Sequence, residues 1–135
     1  MGARVRIAAA LDIAVIVLFA VIGRRNHDDG QGTAALTSQT VESPIGDVLG
    51  IATPFLIGLA AGWIVTRAWR RPFDLAAGRT IWVVTIALGM VLRSTLFEDG
   101  IAFSFVIVAS VFTGLLLLGW RVVAGGRTRR ITHQN

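Results

Sequence analysis

The chain has no cysteine, no lysine and no tyrosine, and only two histidines. Without cysteine there is no disulfide, no thiol nucleophile, no thiolate metal ligand and no lipoprotein anchor. Without lysine there is no Schiff base, which removes retinal and pyridoxal chemistry of the usual kind. His27 and His133 both fall outside the apolar runs, so paired-histidine haem ligation within a bundle is excluded as well. Charge is also scarce. Charged residues are 16% of the 135, against about a quarter in an ordinary soluble domain. Hydrophobic residues are 54%, with a mean hydropathy of +0.70.

What remains is apolar sequence in long runs. A spanning helix needs about 20 apolar residues. Four runs fit, at about 5–23, 44–69, 80–97 and 101–123. They leave a polar outer loop at 24–43 and a basic cytoplasmic tail at 124–135, with no room for a separate soluble domain. The expected fold is therefore an all-α membrane protein, a single domain over 1–135 built as a bundle of four transmembrane helices. Arg4 and Arg6 before the first run resemble the basic region of a signal peptide. However, Asp12 interrupts the run and no small-residue cleavage site follows closely, so it is read as a retained helix ended by Gly23. Ser43-Pro44 opens the second helix as N-cap and first helical residue. Glu98-Asp99-Gly100 is a short turn that makes the last two helices antiparallel neighbours. Gly125-Gly126 is expected to end the fourth.

Every basic residue is arginine. With the Ala, Gly and Val richness, this is what GC-rich codon usage produces, and it points to a prokaryotic source. Arginine placement also sets the orientation. With the N-terminus in the cytoplasm, Arg4, Arg6, Arg67, Arg70, Arg71, Arg79, Arg121, Arg127, Arg129 and Arg130 all fall inside, and Arg24 and Arg25 fall outside. The positive-inside rule prefers this arrangement, with both termini cytoplasmic and the chain in the plasma membrane. Trp69, Trp82 and Trp120 then fall at the inner boundary as an aromatic belt. The arginines mark helix ends and form no aromatic-basic patch, so the expected partner is the lipid bilayer and not nucleic acid.

Two ionisable residues lie well inside apolar runs: Asp12 in the first and Arg93 in the third. A charge in the bilayer costs several kcal/mol or more, so such residues pair, hold water or carry function. Their backbones differ in depth by on the order of 10 Å across a ~30 Å core. A direct or water-bridged pair is one arrangement. Snorkelling of Arg93 to Asp47, Glu98 or Asp99 is the other. Thr85 shares a face with Gly89 and Arg93 at spacing four, and Ser110, Thr113 and Gly114 form a comparable face on the fourth helix. Ordinary hydrogen bonding of these hydroxyls, between helices or back to a carbonyl, accounts for them. The second helix carries Gly46, Gly50, Pro54, Gly58 and Gly62 at spacing four, a row that lets backbones approach closely in lipid. Pro54 frees the Gly50 carbonyl. The packing set is Gly50, Pro54, Gly58, Gly62, Gly89 and Gly114. An outer polar cluster comprises Arg24, Arg25, His27, Asp28 and Asp29. Contiguous ligands without a fourth partner are a poor metal site, so this is read as a solvated charge run, with no metal and no cofactor expected.

Several stretches carry a family resemblance in this order. They are Asp12 with Phe19-Ala20-Val21-Ile22-Gly23-Arg24-Arg25-Asn26-His27, then Thr53-Pro54-Phe55-Leu56-Ile57-Gly58 with Gly62-Trp63. Gly89-Met90-Val91-Leu92-Arg93 follows, and then Phe103 to Ala109 with Gly119-Trp120-Arg121. Together, over about 10–123, the chain resembles the prokaryotic membrane family known as domain of unknown function 3054. The resemblance implies a small multi-pass membrane protein and no particular activity. Two roles are compatible with the residues. One is a small solute- or ion-handling protein working through Asp12 and Arg93, for which four helices enclose so little volume that a conducting path needs a homodimer. The alternative is a non-catalytic scaffold or accessory subunit of a larger membrane complex, docking through the glycine row. An enzyme is the least favoured reading, because the inventory of catalytic groups is so poor.

Overall fold

In the computed structural model the described residues are 2–30, 44–96 and 103–132. They form four helices: α1 (Ala3–Gly30), α2 (Pro44–Thr66), α3 (Leu75–Leu96) and α4 (Phe103–Thr132). All four are long and apolar enough to cross a membrane. The helices pack in a closed ring, α1 on α2, α2 on α3, α3 on α4 and α4 on α1, with no diagonal pair. Residue pairings give the directions. Phe19 meets Phe55 and Phe112, Gly58 meets Thr85, and Gly62 meets Ile81. Each neighbour is therefore antiparallel to the next, and the start of α1 lies beside the ends of α2 and α4.

Helix ends differ from the sequence expectation where local capping prevails over composition. α1 runs through Gly23 to Gly30, and the Gly125-Gly126 pair lies inside α4. Each such glycine costs about 1 kcal/mol relative to alanine, which is not enough to stop a helix without a cap that captures the freed carbonyls. α2 stops at Thr66, short of the expected 69. Arg67 adopts φ 50° there. Its N–H bonds the Ile64 carbonyl while the Ala68 N–H reaches back to Trp63. This is a Schellman ending with arginine in the place glycine usually takes. α3 starts at Leu75 and not near Thr80, because Asp74 caps it: its Oδ1 accepts from the Ala76 N–H at 3.2 Å. The Ser43 cap and the Glu98–Gly100 turn lie outside the described residues.

The tightest interface is between α2 and α3. A Cβ added at Gly58 would lie 2.7 Å from the Thr85 carbonyl oxygen, and one at Gly62 would lie 3.0 Å from the Ile81 Cα. On the facing helix, Gly89 accepts the Phe55 ring. The small stripes of α2 and α3 thus face each other. Lipid tails are as apolar as leucine, so helix association rests on such close van der Waals contact. Gly114 does the same on α4, under the Trp82 indole. Pro54 is fully buried. Gly50 departs from the expected packing row: it is exposed and nothing approaches its Cβ position. A row at spacing four drifts around a 3.6-residue helix, so its N-terminal end turns away from α3.

These two glycines give a matched comparison on one helix. Gly58→Ala should destabilise the protein by about 1–3 kcal/mol, as overpacking does. Gly50→Ala should be neutral or slightly stabilising. Thermal unfolding in detergent measures both, and equal effects would contradict the observed α2–α3 packing.

Candidate functional site

A buried ion pair joins Asp12 on α1 to Arg121 on α4. It is a two-pronged contact. Arg121 donates from Nη1 to Asp12 Oδ1 at 2.8 Å and from Nη2 to Oδ2 at 2.6 Å. Two indoles complete it: Trp63 Nε1 on α2 donates to Oδ2 and Trp120 Nε1 donates to Oδ1, both at 2.9 Å. A carboxylate has about four lone-pair sites, and these four donors fill them. Asp12 is 0% exposed and Arg121 2%.

α3 contributes space. A Cβ at Gly78 would lie 2.6 Å from Arg121 Cδ, so only glycine leaves room for the arginine stem. All four helices therefore meet at this one carboxylate and its partner. The remaining contacts hold the guanidinium. Nη1 also donates to the Leu117 carbonyl at 2.8 Å, and the guanidinium carbon lies 4.4 Å from the centre of the Trp120 ring. Phe73, in the α2–α3 connection, packs edge-on against that indole at 5.7 Å. A buried ion pair repays its desolvation only with good geometry and further hydrogen bonds; both are present here, while Arg121 Nε is buried with no hydrogen-bond partner among the described residues.

The partner of Asp12 is thus Arg121 and not Arg93. Arg93 is partly buried in the last turn of α3. It lies ~22 Å further along that helix than Gly78, which touches Arg121. Two of the three tryptophans assigned to a boundary belt also have interior roles. Trp120 binds Asp12, and Trp82 donates to the Ser110 carbonyl at 3.0 Å while covering Gly114. Trp69 is 43% exposed. Most described hydroxyls bond back to a carbonyl of their own helix, as at Thr53, Thr66 and Thr113. Thr85 does not: its Oγ1 is buried without a hydrogen-bond partner among the described residues. Side chains of the outer cluster, Arg24, Arg25, His27, Asp28 and Asp29, lie outside the described set, although α1 includes their backbone. No group of potential metal ligands occurs among the described residues.

The family described as Protein of unknown function (DUF3054) matches residues 9–124. The chain belongs to this family. The match covers Asp12, Trp63, Gly78, Trp120 and Arg121 alike, so the whole cluster lies within the DUF3054 region. No curated protein and no solved structure matches the chain. Membership in DUF3054 assigns no activity, and the multi-pass membrane character rests on the chain's own four apolar helices.

Proposed function

We propose that this protein is a non-catalytic component of a membrane assembly, a scaffold or accessory subunit, whose buried Asp12–Arg121 pair fastens its own helices and handles no solute. The observation that carries this reading is the saturation of the carboxylate. Both Asp12 oxygens are occupied by protein donors and the side chain is inaccessible. A carboxylate that relays a proton or ion needs an open lone pair and a path to water, and this one would first have to lose Arg121. A cleft lined by Phe73, Asp74, Val122 and Gly125 reaches Arg121 but not Asp12. The docking surface moves with this reading. Gly58 and Gly62 are consumed by α3, which leaves the exposed outer end of α2 around Gly50 for a partner helix.

Isolation of the tagged protein from its native membrane in mild detergent tests the role. The expected result is a complex with another membrane protein at fixed stoichiometry. A pure homo-oligomer whose proteoliposomes carry an ion flux abolished by Asp12→Asn would contradict the reading and favour solute handling.

For orientation we propose both termini in the cytoplasm and residence in the plasma membrane, on the arginine asymmetry. With no native cysteine, single-cysteine variants can be labelled without background. In intact cells an impermeant thiol reagent should modify Ser38→Cys and spare Ala76→Cys. Labelling of the second position would reverse the orientation.

A further inference from the structure

We infer that the end of the bundle bearing the α2–α3 connection holds a binding site for the phosphate of an anionic phospholipid, clasped by Arg4, Arg70 and Arg71. A cleft of about 370 Å³ opens there between the start of α1 and residues 69–74, lined by these three arginines with Val5, Trp69 and Phe73. Asp74 also reaches the cleft, but its carboxylate caps α3 through the Ala76 N–H. Three cations against one committed carboxylate leave the cleft net positive. Among the described residues no carboxylate pairs with any of the three arginines. They are also carried on ordered backbone. The Arg70 N–H bonds the Arg67 carbonyl, the Arg71 N–H bonds that of Ala68, and the Arg71 carbonyl accepts from the Asp74 N–H. Arginine is the side chain suited to holding a phosphate by two parallel donors.

Depth selects a lipid phosphate over a free one. Exposed apolar side chains come within two helical turns of the cleft on both helices: Ile7 at 54% exposure on α1, and Ile64 and Val65 at 66% and 67% on α2. These face hydrocarbon in a spanning bundle, so the cleft lies at headgroup level, and the exposed Trp69 indole beside it is suited to the same layer. The positive-inside orientation directs this end to the leaflet where anionic lipids concentrate. The site itself does not depend on that orientation or on the scaffold role, since its test uses detergent-solubilised protein.

The delipidated full-length chain in neutral detergent is titrated with phosphatidylglycerol, phosphatidylcholine or inorganic phosphate, and thermal unfolding is followed. Phosphatidylglycerol should raise the melting temperature saturably, whereas phosphatidylcholine and equimolar phosphate should not. Each arginine removed should weaken binding about fivefold. The triple variant Arg4→Gln/Arg70→Gln/Arg71→Gln should then lose on the order of 100-fold, while Arg6→Gln/Arg79→Gln, exposed at the same end but outside the cleft, retains the response. If the triple variant does not fold, Arg70→Gln and Arg71→Gln singly should each show the fivefold loss. Equal stabilisation by phosphatidylcholine, equal stabilisation by phosphate, or cleft variants that bind as wild type would each overturn the assignment.

Discussion

A carboxylate inside a bilayer must be neutralised or saturated with donors, and the arrangement of this protein around Asp12 follows from that requirement. Water is absent from the hydrocarbon core, so the chain itself supplies the donors. α4 provides a guanidinium and an indole, and α2 provides a second indole. α3 supplies a glycine that makes room. Each contribution fixes a helix in rotation and height relative to α1. Lipid gives apolar surfaces no preference for protein over solvent, so a polar cluster is one of the few devices that can specify a single register. Breaking it from one side would leave an uncompensated buried charge, worth about 3–5 kcal/mol.

The second organising contact is steric. Where α2 meets α3, Gly58 and Gly62 bring the backbones together, and Phe55 fills the notch at Gly89. The two devices adjoin: Gly62 lies next to Trp63, which donates to Asp12, and the steric contact continues from there to Phe55, where Phe19 and Phe112 also pack. Around them the outer surface stays apolar, with residues such as Ile57, Val83, Val91 and Leu115 facing outward. That is the surface a lipid-immersed bundle presents, and it explains why so little of the hydrophobic sequence is buried.

Four helices, their order and the placement of Asp12 within an apolar helix were legible in the sequence, because hydropathy and intramembrane charge are strong local signals. The partner of Asp12 was not. Placing Arg121 two residues from the end of a run at 101–123 made it a boundary arginine, whereas α4 continues to Thr132 and carries it inward. The missing information was helix length beyond Gly125-Gly126, which composition does not provide. A weaker signal was present in Trp63 and Trp120: an indole N–H inside an apolar run needs an acceptor, and Asp12 is the acid available at that depth. The glycine row was readable as packing, but only register shows that Gly58 and Gly62 are covered while Gly50 is not. Thr85 illustrates the converse, since its position on the polar stripe did not reveal that its hydroxyl would be buried without a partner among the described residues.

The central claim, that one ion pair built on a saturated carboxylate holds the helices together, is tested most directly by a double-mutant cycle on Asp12→Asn and Arg121→Met, read as unfolding free energy in detergent or lipid. Each single replacement should cost about 3–5 kcal/mol by stranding its partner, and the double should recover much of that loss. Additive losses, or a cycle that shows the coupling between Asp12 and Arg93 instead, would contradict the account.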